Sequence, residues 1–517
     1  MAAEGTDLAN ALWEALETAG DRPVYQWLGR RADRVETQTG AELLAYAARQ
    51  AATLRHRLPD GGTVAIAAQA GPEFLVACLG TILAGLTVLP LPAPGPGPQQ
   101  HRVAQGIRAA RPDLILTNPA LQHHLPGSLA IGGGDDALLA PMPDPAISVL
   151  QLTSGTQSDP KCVCLPGAAV LANCRHVAQA WGFGPTDHSL TWLPHYHDMG
   201  LFGGLIFPLL SGVMISQMDT LGFVQRPTRW LRALEMTGAT VSGGPTFAFR
   251  QCLERSTPKD RAALDLSALR YLFCGAEPIP KGFLDDFASG FAPAGLRRDA
   301  VFACYGLAET TLFAAGRPGD GPDGVYTVPE TTDHRVAIFH PKTRARVKAG
   351  QAGEICLAGP SLCAGYSDGT NPVFQDTDGA TWLATGDLGV IQSGGLQIQG
   401  RIKDIVIVNG TNIAMADIDF AVAGAVPTLT GATPAAYLEA SGDDARLSLA
   451  IEHRDHRALN QKPELYDQIA RHIQGQFGIA PQAVHFLRPG ALERTTSGKI
   501  RRVTAGQVVE TEKGISA

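Results

Sequence analysis

The sequence predicts an α/β fold in two parts. A large N-terminal domain of layered α/β subdomains, with a β-rich subdomain, precedes a small α+β C-terminal domain. Three observations predict it. Short apolar runs of strand length alternate with helical stretches up to about residue 333. Beyond that point come short alternating strands with glycine-rich turns. Past Gly400 a charged segment, RIKDIVIVNGTN, leads into a hairpin pattern and one amphipathic helix.

Taken in order, the strand candidates are VAIAA (64–68), DLILTN (113–118), ISVLQLT (147–153), SLTWLP (189–194), VMISQM (213–218), ATVSGG (239–244) and LRYLFCG (269–275). AAVLANCRHVAQAW (168–181) and RPTRWLRALEMTG (226–238) supply helices between them. HRVAIFH, GEICLAG and GLQIQGR form the β-rich subdomain, expected over 333–402. PAAYLEASGDDARLSLAIEH reads as a hairpin with a GDD turn, and ELYDQIARHIQGQF (464–477) as a helix. The boundaries expected are therefore 1–402 and 404–517.

From Phe74 to Gln100 there is no charge, which raises the question of a membrane span. Pro90, Pro92 and Pro94 break its second half, so strand, buried helix and strand, a βαβ unit, is the expectation. A net charge of -7 gives no electrostatic case for nucleic acid or an anionic membrane surface. Nine cysteines, an odd number without a CxxC pair, argue against a disulfide framework and for a reducing, cytoplasmic setting. The first twenty residues carry acids and no basic n-region, so no secretory signal is expected.

Six stretches carry chemistry. TSGTQSDPK (153–161) follows an apolar strand directly. Its backbone N–H groups, the hydroxyls of Thr153, Ser154 and Thr156, Gly155 and the Lys161 ammonium can cradle phosphate oxygens. The same residues also make an ordinary polar turn, and no Walker A pattern is present. HYHD crowds His195, His197 and Asp198, and on a strand the two histidines would share a face. No third nitrogen or sulfur ligand has metal spacing. FCGAEPIP (273–280) and CYGLAETT (304–311) each set a glycine and a carboxylate after an apolar stretch. Glu309 can hold Mg²⁺ through one oxygen, or be a solvated surface charge. In TGDLG (385–389) Asp387 can accept from a ribose diol, and in GRIKD (400–404) Arg401 can reach ribose or phosphate. RTTSGKIRR (494–502) offers Lys499, which alone looks like any exposed lysine.

In this order, TSGTQSDPK, GAEP, YGLAET, TGD, GRIKD and SGKIRR resemble the adenylate-forming superfamily of acyl- and aryl-CoA ligases, amino-acid adenylation domains and luciferases. WLPHYHDMGLFGG, FVQRPTRWL, TVSGGPTFAF and CYGLAETTLF resemble the fatty acyl-AMP ligases within it. The resemblance implies ATP- and Mg²⁺-dependent conversion of a carboxylic acid to an acyl-adenylate, then transfer to the pantetheine thiol of an acyl carrier protein. It implies that the 153–161 loop holds the β- and γ-phosphates. Gly275, Ala276 and Glu277 would line the adenine, with Tyr305 and Gly306 beside the nucleotide. Glu309 would bind Mg²⁺, Asp387 the ribose, and Arg401 the ribose or phosphate. Lys499 would bridge the α-phosphate and the attacking carboxylate from a small mobile domain hinged at Lys403. His197 would stand near the acyl carboxylate, and Asp198, Met199, Gly243, Gly244, Cys274 and Cys304 would form the acyl pocket.

Three features depart from the pattern. Cys162 replaces a glycine after the loop lysine, the span from Phe313 to Gly353 is short, and NGTNIAMADID (409–419) lacks the usual basic and aromatic residues. An acyl-CoA ligase and an amino-acid adenylating enzyme, with Asp198 facing the substrate ammonium, stay open. A nucleotide sensor is disfavoured by the presence of both Lys499 and Glu309.

Overall fold

The apolar runs of the first 300 residues become two mostly parallel sheets in the computed structural model, which describes residues 6–33, 35–96, 98–134, 136–153, 161–320, 325–328, 333–392, 395–408, 411–429, 431–439, 446–494 and 500–516. One sheet runs Leu129–Ala130, Leu114–Thr117, Thr63–Ala67, Thr87–Leu91, Val149–Leu152, Cys162–Leu165, Gly365–Tyr366. Its first four pairings are parallel and the last two antiparallel. The other sheet runs Glu36–Thr39, Pro23–Gly29, Met214–Met218, His188–Thr191, Val241–Gly244, Tyr271–Cys274, Val301–Ala303. All its pairs are parallel except the first. Each of the seven expected strands is present, because a strand buried on both faces must be apolar throughout.

The uncharged stretch after Glu73 resolves as expected. Helix Pro72–Leu83 joins two parallel strands and is buried from Phe74 to Leu79 and on to Leu83 apart from Val76. It packs so closely on helix Gly40–Arg57 that a Cβ at Gly80 would stand 2.7 Å from the Gln50 side chain. Among the described residues no helix is long and apolar enough to cross a membrane.

The β-rich portion is an antiparallel sheet, Val325–Thr327, Gly395–Arg401, Thr381–Gln392, Gly353–Ala358, Arg335–Phe339, with Val373–Gln375 on its long strand. It reaches back before residue 333, because Val325–Thr327 pairs with Leu396 and its neighbours. Residues from 413 onward have a core of their own, in which Ile418, Val422, Leu449, Ile469 and Ile473 are fully buried. Helix Pro463–Phe477 covers the sheet Thr433–Leu438, Leu447–Glu452, Ala483–Leu487. The hairpin strands pair as expected, while the GDD turn lies outside the described residues.

Candidate active site

The phosphate loop begins where strand Val149–Leu152 ends. Thr153 and Lys161 close its neck: the Thr153 N–H donates to the Lys161 carbonyl at 2.8 Å. Ser154, Gly155 and Thr156 lie outside the described residues, as does Lys499. The Lys161 ammonium sits 4.4 Å from the centroid of the Tyr366 ring and 3.3 Å from the Thr370 hydroxyl. Behind it, Cys162 starts the returning strand and is 1% exposed. Burial pushes its thiol up to about 12, so it is a small core hydrophobe and not a nucleophile. The carbonyls of Cys162 and Cys164 accept from the Ser367 and Ala364 N–H groups, which seals the edge of the sheet.

The second sheet presents its strand ends to the same space. After Tyr271–Cys274 the chain turns at Gly275 and Ala276. A Cβ at Gly275 would stand 2.7 Å from Cys304 atoms, and Ala276 takes φ +65°. Glu277 Oε2 accepts from the Phe247 N–H at 3.0 Å. After Val301–Ala303 come Tyr305 and Gly306, where a Cβ would overlap the Leu312 carbonyl oxygen. Glu309 follows in a single 3₁₀ turn, Ala308–Thr310. That turn is held by Thr311 at φ +70°, ψ -59°, with the Leu312 N–H on the Thr310 carbonyl at 2.9 Å. A β-branched residue in this three-residue turn is strained, as residues that fix a site's geometry often are. Glu309 Oε1 accepts from the Tyr366 hydroxyl at 2.7 Å.

Asp387 and Arg401 are register partners on adjacent strands. Arg401 Nε lies 3.0 Å from one oxygen of Asp387, and the Tyr305 hydroxyl donates to the other at 2.7 Å. Asp387 is thereby fixed with its remaining lone pairs free for hydroxyl donors.

The two histidines of HYHD part company. The segment is a turn entering a helix, not a strand, so their side chains do not share a face. His195 is buried, with Nε2 2.9 Å from the Ala68 carbonyl, and burial lowers its imidazole to about 4. It is a core residue. His197 stays at the cleft, its Nδ1 2.5 Å from Asp198 Oδ1. The same Asp198 oxygen accepts the Met199 N–H at 2.7 Å and caps the helix that follows.

That helix, Met199–Ile206, is wound in wide i→i+5 turns throughout, the Phe207 N–H reaching the Phe202 carbonyl at its end. Its three glycines do different work. A Cβ at Gly200 would stand 2.1 Å from the Pro194 carbonyl, and at Gly204 2.7 Å from the Thr191 hydroxyl. At Gly203 it would meet only a Leu312 methyl, at 3.2 Å. Met199, Gly203 and Phe207, spaced four residues apart, line the cleft together with the apolar side chains of Trp181, Phe273 and Leu312.

One cleft is lined by Thr153, Lys161, Ala276, Glu277, Tyr305, Gly306, Glu309, Asp387, Arg401 and Lys403, and also by His197, Asp198, Met199 and Cys304. Gly243, Gly244 and Cys274 are instead buried behind its wall. A Cβ at Gly243 would collide with Phe273, one at Gly244 would meet Trp192, and the Cys274 thiol faces the Thr246 hydroxyl at 3.6 Å. Tyr366, Gly203, Phe207 and Trp181 line the cleft without having been singled out from the sequence. Among the described residues no group of three His, Cys, Asp or Glu side chains could hold a metal by itself.

The sequence profile of the AMP-binding enzymes matches residues 12–367. The medium-chain-fatty-acid–acyl-carrier-protein ligase JamA of Moorena producens is 32% identical, the match covering 69% of this chain and 66% of that protein. The 4-hydroxyphenylalkanoate adenylyltransferase of Mycobacterium tuberculosis is 30% identical over 96% of this chain and 90% of its own length. A solved structure from the fatty acyl-adenylate ligases of E. coli and L. pneumophila superposes with a TM-score of 0.82 at 28% identity, covering 99% of each chain. The chain therefore belongs to the AMP-binding enzymes, as an adenylate-forming enzyme of the acyl-AMP ligase type.

Proposed function

We propose that this enzyme uses MgATP to activate a medium-length carboxylic acid and then loads the acyl group onto the pantetheine thiol of an acyl carrier protein. The observation that carries the reading is the lining of one cleft. Glu309, Asp387 and Arg401 line it together with His197 and the apolar Met199, Phe207, Trp181, Phe273 and Leu312, so a nucleotide half and an apolar acyl branch fit in one cavity. In the first step a carboxylate oxygen attacks the α-phosphorus, the bond to the bridging oxygen breaks, and pyrophosphate leaves. In the second, the thiol sulfur attacks the acyl carbonyl and AMP leaves. Both steps depend on positioning and charge neutralisation more than on covalent help from the protein.

In this reading Asp387 takes the ribose hydroxyls, and the 153–161 loop with Lys161 takes the outer phosphates. Tyr366 already occupies Glu309 Oε1, which leaves Oε2 for a metal. One carboxylate oxygen fits Mg²⁺, which keeps waters and takes its other ligands from phosphate. That ion would neutralise the phosphate charge. Lys499 would enter from the 404–517 domain, which would turn about Lys403 so that the thiol replaces it. The nine cysteines, all unpaired, support a reducing cytosolic setting.

The alternative of an amino-acid substrate would set its ammonium against Asp198, whose Oδ1 is shared by His197 and the Met199 N–H. The experiment is pyrophosphate release against fatty, aryl and amino acids. Holo carrier protein or CoA is then added and the thioester read by mass. Release with fatty acids and loading of the carrier protein are expected. Thioester on CoA at the carrier-protein rate would replace the acceptor with CoA, and release driven by amino acids alone would overturn the reading.

A further inference from the structure

Tyr366 touches both charged ends of the nucleotide half. Its hydroxyl donates to Glu309 Oε1 at 2.7 Å, and its ring face carries the Lys161 ammonium at 4.4 Å. The backbone repeats the connection. Tyr366 pairs with Val163 on the strand that leaves the phosphate loop, and the Ser367 N–H bonds the Cys162 carbonyl. Three residues earlier, the Cys363 N–H donates to the Glu309 carbonyl at 2.8 Å. One short segment is thus laced to the loop's exit strand on one side and to Glu309 on the other. An edge tyrosine that only packed would need neither the phenol oxygen nor the cation.

We propose that Tyr366 is a positioning residue that couples the phosphate-loop lysine to the metal-binding carboxylate. The phenol ties down one Glu309 oxygen so that the other faces the ion on the phosphates. The ring face holds the Lys161 ammonium by cation–π attraction until phosphate draws it away. The proposal rests on the reading of Glu309 as the Mg²⁺ carboxylate. It adds a residue that acts through Glu309 and Lys161 without touching the ligand.

The test is calorimetric binding of α,β-methylene ATP, which cannot be turned over, to the full chain with Mg²⁺ and with EDTA. Wild type, Y366F and E309Q are compared, with melting temperatures to confirm folding; phenylalanine keeps the ring and its packing. Mg²⁺ should strengthen binding to wild type, and E309Q should lose most of that gain. Y366F should lose at least about tenfold of the gain, the worth of one hydrogen bond to a charged group, while its affinity in EDTA stays at the wild-type value. A full Mg²⁺ gain in Y366F, with E309Q impaired, overturns the role of Tyr366 alone. Equal losses with and without Mg²⁺ reduce Tyr366 to packing and overturn it too. A full gain in E309Q overturns the reading of Glu309 and this proposal with it.

Discussion

Gly203 offers the sharpest test of where the acyl chain goes. It lines the cleft, and a Cβ there would press on a Leu312 methyl at 3.2 Å. Gly203 lies four residues beyond Met199, so at up to about 1.5 Å per residue it is some ~6 Å down the branch. Phe207 lies about 12 Å down by the same rise. A carbon–carbon bond of about 1.5 Å at a tetrahedral angle advances a chain by ~1.25 Å. The branch therefore holds at most about five carbons before Gly203 and at most about ten before Phe207. Gly203→Val should plug it halfway and exclude about five methylenes of decanoate, each worth ~0.8 kcal/mol. That is ~4 kcal/mol, or about a thousandfold in kcat/KM. The assay is pyrophosphate release over a series from butyrate to palmitate. Wild type should peak near decanoate, and Gly203→Val should react with butyrate and hexanoate but not decanoate. Phe207→Ala should extend the profile by a few carbons. Decanoate turnover in Gly203→Val within about tenfold of wild type would refute a chain running along this helix, since that is only ~1.4 kcal/mol.

Three further outcomes are expected. Lys499→Ala should lower pyrophosphate release by at least about a hundredfold, because it removes charge stabilisation at the transferring group; release within a few-fold of wild type would reject that role. Lys403→Pro should spare adenylate formation and block thioester formation, since proline fixes the φ about which the small domain would turn; equal loss of both half-reactions in rapid-quench assays would refute it. Acid should destabilise the fold through His176 and His195, which burial lowers to about 3 and about 4. Below the unfolded value of about 6.5 the unfolded chain binds protons that the folded chain refuses, so stability falls with pH by ~1.4 kcal/mol per unit for each. Denaturant titrations at pH 7 and pH 5 should show a smaller loss for His176→Leu than for wild type, and equal losses would discount it.

The strands and the order of motifs were legible because burial on two faces leaves an apolar run, and each motif is local in sequence. What was not legible depends on direction or distance. His195 and His197 look equivalent in HYHD, and only the turn shows that one points to the Ala68 carbonyl and the other to the cleft. The glycines of MGLFGG look interchangeable, yet two permit close packing and one leaves space. Gly243 and Gly244 follow a strand toward the site and still face inward, because sheet neighbours at Phe273 and Trp192 claim their sides. Tyr366 lies in no motif of the sequence, and its partner Glu309 is 57 residues away. Cys162 looked like a departure near phosphate, whereas its side chain turns into the core beneath the loop.

The placement of Arg401 bears on how one site can serve two reactions. Arg401 is locked to Asp387 by strand register, and Lys403, the proposed hinge, stands two residues on. The proposed ribose half of the site therefore belongs to the antiparallel sheet and would not follow a rotation that begins after it. Residues beyond the proposed hinge touch the large body at Arg250, whose guanidinium lies 5.3 Å from the Phe420 ring. A surface cation–π contact is worth about 0.5–1 kcal/mol, small beside the binding energy of an adenylate or a carrier protein. A turn at Lys403 would thus exchange Lys499 for a thiol while Asp387, Arg401 and Tyr305 keep hold of AMP. The intermediate need not leave the nucleotide half between steps, which protects a mixed anhydride that water would otherwise hydrolyse.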